Sequence, residues 1–315
     1  MKKLPWLRIG KATVLIFSCV AYAYIALRLI RFEHWPTLLA SVSFSVKTVT
    51  LLGILTALWF INLGCETKRW QILMKPFTKL SLSEAWKQVM AGTTTAVGSP
   101  SRIAEMGGRM ALLPKRNRMN AAVMTTVGGI FQNMVILVAG VISLLLVPKP
   151  SLTFNNQFKY LFLILLPVFI GAGFVIIWAF YKEKVKYYFR TLKALSNRIF
   201  FKLLLWTVTR YLVYIIQLFV WLNFWGIHVS FVNYLALSTL YFFFITILPS
   251  HILIDMGIRG SVAIFLFTSI SANTPLILLA TFSLWITNVV LPTIIGSYTL
   301  LKHSLIKQRL KQKEL

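Results

Sequence analysis

Acidic residues are the scarcest feature of this 315-residue chain, which has seven aspartates and glutamates against 33 lysines and arginines. Charged residues of both signs make up 13% of the chain, whereas a soluble domain typically carries about 25%. Hydrophobic residues make up 58%, and the mean hydropathy is +0.76. This composition excludes an ordinary soluble domain and indicates a chain that lies in a lipid bilayer.

Cysteine is scarce as well, and both copies, Cys19 and Cys65, lie in apolar segments. Their positions predict neither a disulfide nor a zinc site, and no set of histidines, cysteines and acids has metal-ligand spacing. The sequence also lacks a phosphate-binding P-loop, a Gly-Xaa-Ser-Xaa-Gly nucleophile elbow and a dinucleotide-binding fingerprint. We therefore expect no metal, no cofactor and no nucleotide-driven motor in this chain.

The net charge of +26 is concentrated in clusters between and beside the apolar segments. This distribution is typical of loops on the cytoplasmic side of a membrane, and it argues against a nucleic-acid partner. It favours attraction to anionic lipid headgroups. The clusters are Lys2, Lys3, Arg8 and Lys11; Lys68, Arg69, Lys75 and Lys79; Lys115, Arg116 and Arg118; Lys182, Lys184, Lys186, Arg190, Lys193 and Arg198; and Lys302, Lys307, Arg309, Lys311 and Lys313.

Apolar segments of the length that crosses a bilayer, about 20 residues, recur along the whole chain. We predict eight spans, at 12–30, 45–64, 121–146, 159–181, 203–225, 231–248, 261–271 with the residues before it, and 275–300. With both termini in the cytoplasm, the loops at 65–88, 114–120 and 182–202 carry most of the loop cations. The pattern predicts a multi-pass protein of the cytoplasmic membrane. Tryptophans near span ends, such as Trp70 and Trp86, are expected to be interfacial anchors.

Two segments, 81–113 and 249–271, are too polar or too interrupted to be ordinary spans. In the first, a helix breaks before Ser99 and Pro100, which suit the N-cap and first position of a new helix. Pro249 interrupts the second segment in a similar way. Irregular backbone inside a membrane is tolerated where it is buried in protein or lines a cavity. The sequence therefore predicts an all-α integral membrane protein of about eight transmembrane helices with two re-entrant or broken helices.

The two interrupted segments share a motif, acid–Met–Gly–any residue–Arg, which occurs at 105–109 and again at 255–259. Interrupted hydrophobic segments at matching places in two halves are the best sequence indication of a transporter's binding site. We therefore predict an internal repeat in one membrane domain, residues 1–315. The repeats cover about 12–146 and about 159–300, and a basic cytoplasmic tail covers 302–315.

Each copy of the motif places an acid four residues before an arginine, as Glu105 with Arg109 and Asp255 with Arg259, so that the two can pair on one helix. Two interpretations stay open: the charges line a substrate path, or they neutralise each other within one helix. On the first interpretation the arginines, Arg102 included, bind a phosphate headgroup, assisted by the ends of the broken helices. The candidate substrate-binding residues are Ser99, Pro100, Arg102, Glu105, Gly107, Gly108, Arg109, Pro249, Asp255, Gly257, Arg259 and Gly260; no residue is predicted to be catalytic.

Other polar residues in or near the predicted spans are interpreted as hydrogen-bonding partners between helices rather than as ligands of a substrate. His251, beside the second break, is interpreted as a structural hydrogen-bonding group. The polar residues in question are Gln132, Asn133, Gln217, Asn223 and Asn288.

The segments 62–64, 68–70, 99–109 and 248–260 resemble motifs of the transmembrane region of lysylphosphatidylglycerol synthase and its stand-alone, flippase-like relatives. The resemblance covers about residues 10–300. It departs from the family pattern at Ser101, where glycine usually follows the proline, and after Arg259, where an acid is usual. Without a counterpart of the family's aminoacyl-transferase domain, the resemblance implies movement of a lipid or lipid-linked intermediate between leaflets rather than aminoacylation.

The leading functional hypothesis is a translocase in which an anionic or phosphate headgroup is held between the two broken helices. The main partner is then a membrane lipid, and a second copy or a separately encoded enzyme is a further expected partner. One alternative is a membrane-embedded transferase that acts on a lipid carrier with Glu105 or Asp255 as general base. The neighbouring arginine disfavours this, because it stabilises the charged carboxylate. The other alternative is a non-catalytic accessory subunit.

Overall fold

A computed structural model describes residues 45–97, 104–146, 195–248 and 252–313 of the chain, and the regular secondary structure in these ranges is helical. The all-α prediction is therefore confirmed for this part. In chain order the helices are α1 (Val46–Met74), α2 (Leu82–Val97), α3 (Glu105–Ala111), a 3₁₀ turn (Lys115–Asn117), α4 (Arg118–Leu146), α5 (Asn197–Phe224), α6 (Phe231–Ile247), α7 (Ile252–Phe267), α8 (Thr274–Trp285), a π-helical turn (Ile286–Val290) and α9 (Leu291–Lys313).

Helices long and apolar enough to cross a membrane are found where four of the spans were predicted, at Val46–Met74, Lys115–Leu145, Asn197–Phe224 and Thr274–Lys302. The predicted span 231–248 is the apolar helix α6, which has 17 residues. The weak span around 261–271 is α7. These six helices are confirmed as helices, whereas their insertion into a membrane and the internal repeat stay predictions. The predicted spans 12–30 and 159–181 lie outside the described residues.

The starts of α1 and α2 follow from local hydrogen-bonding chemistry. Ser45 caps α1, because its hydroxyl accepts a hydrogen bond from the Thr48 N–H at 3.2 Å. Ser81 and Glu84 form a capping box at α2: the Ser81 N–H donates to Glu84 Oε2 at 2.8 Å, and the Glu84 N–H donates to Ser81 Oγ at 3.2 Å. The Ser81 N–H and hydroxyl hold the pKa of the exposed Glu84 carboxyl below its usual value.

Helices α2 and α3 form an antiparallel hairpin with closely packed backbones. The Thr95 hydroxyl donates a hydrogen bond to the Ala104 carbonyl at 2.7 Å. One turn further along, a Cβ atom added to Gly108 would collide with the Ala91 carbonyl oxygen. Glycine is therefore needed at this crossing.

The predicted interruption of segment 81–113 thus separates two packed helices, and the second interruption likewise separates α6 from α7. The residues at the two breaks, Ser99, Pro100, Arg102, Pro249 and His251, lie outside the described residues.

The core is divided into two apolar clusters that fix the directions of the long helices. Leu73 of α1 shares one cluster with Leu203, near the start of α5, whereas Leu55 of α1 shares the other with Ile215, further along α5. The two helices therefore run antiparallel. Residues near the start of α4, such as Val123, lie in the first cluster, and Leu144 lies in the second, so α4 runs parallel to α5.

Because of these directions, the basic residues that flank the helices meet at one end of the bundle. Lys79, Lys87 and Lys302 line one cavity at that end, which brings the end of α1, the start of α2 and the helix α9 together. The starts of α4 and α5 lie at the same end. This arrangement is the one expected if all these cations lie on one side of a bilayer.

The chain passes from α8 into α9 through the π-helical turn, without leaving the helix. Asn288 in this turn donates from its Nδ2 to Gln217 Oε1 of α5 at 3.0 Å. Both residues were predicted to be hydrogen-bonding partners between helices, and the structure confirms that interpretation for this pair. A π-helical turn inside an α-helix is frequently found at a functional site.

Candidate functional site

Glu66 of α1 lies at the centre of a buried charged cluster. Its Oε1 atom accepts a hydrogen bond from Arg109 Nη2 of α3 at 2.6 Å. Its Oε2 atom lies 2.9 Å from Arg210 Nη1 of α5 and 3.2 Å from Arg69 Nη1 of its own helix. Glu66 is 7% exposed, and both Arg69 and Arg109 are 3% exposed. One carboxylate therefore connects arginines from three helices in the interior of the bundle.

A second carboxylate, Glu105, completes this arginine–glutamate cluster. It pairs with Arg109 at 2.5 Å, four residues further along α3, as the sequence predicted. Among the described residues, the cluster contains three arginines, Arg69, Arg109 and Arg210, and two glutamates, which together have a net charge of +1 with all groups ionised. An excess cation in the interior favours binding of an anion.

Helix α4 supplies neutral acceptors that hold two of the arginines in place. Gln132 Oε1 accepts from Arg69 Nη1 at 2.6 Å and from Arg210 Nη1 at 3.3 Å. The Gly128 carbonyl accepts from Arg69 Nη2 at 2.7 Å. A Cβ at Gly128 would lie 3.2 Å from that same nitrogen, so glycine allows the guanidinium to approach the backbone. On the other side, Asn62 Oδ1 accepts from Arg210 Nε at 3.3 Å.

The third arginine, Arg109, is stacked on an aromatic ring. Its guanidinium carbon lies 4.6 Å from the ring centre of Trp70, within the range of a cation–π interaction. The Trp70 indole N–H donates to Gln88 Oε1 of α2 at 2.8 Å. Trp70 is fully buried, so its prediction as an interfacial anchor is wrong. The ring lies in the interior, where its face packs against the guanidinium group of Arg109.

A cavity of about 420 Å³ lies against the cluster, within the usual size range of small-ligand pockets. Its polar character comes from the charged side chains, from hydroxyls and from amides. The buried Nε donors of Arg69 and Arg109 have no hydrogen-bond partner among the described residues. The lining residues are Glu66, Arg69, Thr93, Glu105, Met106, Arg109, Thr125, Thr126, Gly128, Gly129, Ile130, Gln132, Asn133 and Arg210.

The second copy of the motif forms a separate and simpler arrangement. Arg259 Nε lies 2.8 Å from Asp255 Oδ2, and the indole N–H of Trp285 in α8 donates to that same oxygen at 3.0 Å. The pair is half-buried and neutral as a unit. Gly257 and Gly260 are buried on the same helix.

Within the part of the chain that the structure describes, neither cavity is lined by both copies of the motif. The cavity beside the arginine–glutamate cluster is lined by residues of α1 to α5, and Asp255 and Arg259 are not among them. Of the candidates in the first copy, Glu105 and Arg109 line this cavity, and Gly108 packs against α2. Gly107 is exposed, and a Cβ added there would meet nothing within 4 Å, so it provides no close approach.

Glu66, Arg69 and Arg210 were not predicted to be site residues, and Arg69, which was predicted to lie in a loop, is part of α1. The sequence positions of Glu66 and Arg210 indicated a role: Arg210 lies inside the predicted span 203–225, and Glu66 lies two residues after the end of the predicted span 45–64. A charge in such a place needs a partner, and the seven acids of the chain offer few choices. Gln132 was interpreted as a partner between helices, which its two arginine contacts confirm, and it lines the cavity as well.

Comparison of the chain with protein-family models, with curated proteins and with solved structures gives no significant match. The resemblance to the lysylphosphatidylglycerol synthase transmembrane region therefore stays a prediction.

Proposed function

We propose that this chain is a flippase-like integral membrane protein that moves a lipid or lipid-linked intermediate between leaflets. In this proposal the phosphate-bearing headgroup passes through the cavity beside the arginine–glutamate cluster, while the acyl or prenyl chains stay in the bilayer. The observation that carries the proposal is the net positive charge of that cluster, held among four helices next to a cavity of about 420 Å³.

The position of the cluster along the helices supports a role in transport. Arg210 follows the start of α5 at Asn197 by a helical distance of about 20 Å. If α5 crosses the bilayer as proposed, Arg210 lies well inside it. Each charge at such a depth costs at least about 2.5 kcal/mol on insertion scales. Complete neutralisation of the described groups would need a third negative charge. A phosphate headgroup supplies that charge and accepts from the guanidinium donors.

The transferase alternative has less support from the same geometry. A general base must accept a proton from its substrate, so its carboxylate must bind a proton readily. Glu66 and Glu105 both bind arginines, which stabilise their charged forms and weaken them as bases. Asp255 is bound by Arg259 and Trp285.

The proposal is tested by reconstituting the protein in liposomes and measuring the transfer of fluorescent lipids between leaflets. Anionic, zwitterionic and polyprenyl-phosphate lipids are compared, and a membrane-impermeant quencher reports the lipids left outside. We expect wild-type protein to accelerate transfer of a lipid with a phosphate headgroup. Arg210→Gln should reduce that rate by about tenfold or more, because a charge-assisted hydrogen bond contributes roughly 1.5–3 kcal/mol.

Arg259→Gln is the matched control, because it removes the same charge from the separate second motif. It should keep the wild-type transfer rate within about twofold, a change of about 0.4 kcal/mol. Equal loss in both variants would contradict the assignment of the path to the arginine–glutamate cluster. Absence of transfer for every lipid tested would contradict the translocase itself and favour the accessory-subunit hypothesis.

A further inference from the structure

A second cavity, of about 580 Å³, lies at the basic end of the bundle and shares no lining residue with the one beside the arginine–glutamate cluster. Three exposed lysines line it: Lys79 from the segment between α1 and α2, Lys87 from α2 and Lys302 from α9. They come from distant parts of the sequence, so the fold rather than a local charge run brings them together. We call this the lysine cavity.

Among the described lining residues of the lysine cavity, the carboxylate is that of Glu84, which is hydrogen-bonded at the start of its own helix. Its Oε2 atom accepts from both the Ser81 N–H and the Ser81 hydroxyl, at 2.8 Å each. The three lysines and Glu84 together carry a net charge of +2. The charge of the lysine cavity therefore selects an anion, and a phosphate group with up to two negative charges matches it.

Apolar side chains make up much of the remaining wall. Trp86 is half-buried in the lining, beside Leu112, Leu113 and Ile295 from two other elements. A free inorganic anion would gain nothing from this surface, whereas a lipid places the start of its chains against apolar groups and its headgroup beside the cations. The mixture of lysines and apolar side chains fits an anionic amphiphile.

The lysine cavity and the arginine–glutamate cluster are connected by a short chain of contacts. Gln88 lines the lysine cavity and accepts the hydrogen bond from the Trp70 indole. Trp70 supports Arg109, which lines the other cavity. The Trp70–Gln88 hydrogen bond therefore links a lining residue of the lysine cavity to the ring that supports Arg109.

We propose that the lysine cavity binds an anionic phospholipid, with the phosphate between Lys79, Lys87 and Lys302 and the glycerol and upper chains against Trp86. This binding does not depend on translocation. The further role of the lysine cavity, as a site that a headgroup occupies before it reaches the arginine–glutamate cluster, rests on the proposed function.

The proposal is tested by fluorescence quenching in phosphatidylcholine nanodiscs that contain an increasing fraction of phosphatidic acid with dibrominated chains. The difference between wild type and Trp86→Phe isolates the signal of Trp86. We expect saturable quenching of Trp86 by brominated phosphatidic acid and much weaker quenching by brominated phosphatidylcholine. Combining Lys79→Gln, Lys87→Gln and Lys302→Gln should raise the half-saturating lipid fraction at least about fivefold. This is a lower bound, because a single interfacial lysine contributes about 1 kcal/mol, which is roughly that factor.

A charge-matched control combines Lys75→Gln, Lys115→Gln and Lys202→Gln, three exposed lysines at the same end that do not line the lysine cavity. It should shift the half-saturating fraction less than about twofold. Equal shifts in both triple variants would overturn the proposal, because they would indicate a diffuse surface field. Equal quenching by the two brominated lipids, or displacement of phosphatidic acid by inorganic phosphate at millimolar concentration, would also overturn it.

These outcomes are independent of lipid transfer between leaflets. If the protein binds phosphatidic acid through the three lysines but transfers no lipid, the proposed lipid site is supported and the proposed function is contradicted. If the protein transfers lipid but Trp86 shows no saturable quenching, the proposed function is supported and the lipid site is contradicted.

Discussion

Glu66 contacts the guanidinium groups of Arg69, Arg109 and Arg210, which come from three different helices. Breaking a buried ion pair by removing one partner is strongly destabilising, because it leaves an uncompensated charge in the interior. Here the single carboxylate of Glu66 forms ion pairs with all three arginines. Its removal would raise the net charge of the cluster while the arginines stay where the helices place them.

We expect Glu66→Gln to lower the free energy of unfolding by about 3–5 kcal/mol, because the amide keeps the shape of the side chain but cancels no positive charge. Thermal unfolding of the protein in nanodiscs measures the change. Glu84→Gln is the control, since it also removes one carboxylate but lies exposed at the start of α2. Its loss should be near 1 kcal/mol, the usual contribution of a helix cap. Similar losses for both variants would show that the buried cluster contributes little to stability.

At the residue scale, the sequence predicted the interactions that are local. Glu105 with Arg109 and Asp255 with Arg259 both form, because positions four apart are neighbours on any α-helix. The contact between Glu66 and Arg210 depends on how α1 packs against α5, which no local pattern specifies. The same holds for Trp70, whose burial follows from the helices around it rather than from its place near the end of a predicted span.

At the scale of elements, the hairpin of α2 and α3 determines where Glu105 and Arg109 lie. Its close packing depends on small residues that face the partner helix. A Cβ at Gly92 would lie 2.8 Å from Arg109 Cγ, and one at Gly108 would collide with the backbone of α2. The sequence named Gly107 and Gly108 alike as candidate site residues. In the structure Gly108 packs closely against α2, whereas Gly107 is exposed.

The two adjacent glycines give a matched test of the hairpin. Gly108→Ala should destabilise the protein by about 1–3 kcal/mol, the usual cost of overpacking, because the Ala91 carbonyl cannot move without shifting α2. Gly107→Ala should be neutral or stabilising by up to about 1 kcal/mol, since alanine is the better helix former and meets no neighbour. Thermal unfolding of both variants in the same detergent provides the comparison. A larger loss for Gly107→Ala would contradict the packing described for this hairpin.

The helix from α8 to α9 shows another limit of local sequence patterns. The apolar segment 275–300 predicted one continuous span, and a helix is found there. The π-helical turn Ile286–Val290 was not predicted, because its residues have ordinary helical and apolar character. What accompanies the turn is a contact with another helix, the hydrogen bond from Asn288 to Gln217 of α5.

At the scale of the whole molecule, the directions of the helices divide the loops between two ends. The starts of α4 and α5 lie at the basic end, whereas the loops that contain Ser230 and Asn273 lie at the other. Positively charged loops are retained in the cytoplasm during insertion. We therefore expect the basic end of the bundle to face the cytoplasm, whatever the function of the protein.

We expect single cysteines introduced by Lys115→Cys and Lys202→Cys to react from the cytoplasmic side, and those from Ser230→Cys and Asn273→Cys to react from the opposite side. The background lacks Cys19 and Cys65, and the four chosen positions are exposed. Labelling of intact cells and inverted vesicles with an impermeant maleimide measures the accessible side. Labelling of Lys115→Cys and Lys202→Cys from different sides would contradict the arrangement of α4 and α5.

The length of α6 has a consequence for the bilayer itself. Its 17 residues, Phe231–Ile247, extend for only about 25 Å, whereas the hydrocarbon layer is about 30 Å thick. A spanning helix of this length is accommodated when the surrounding lipid becomes locally thinner. Hydrophobic mismatch at α6 would then bring the two layers of headgroups closer together beside the bundle. On the proposed function, the protein would then assist lipid crossing by deforming the membrane as well as by binding a headgroup.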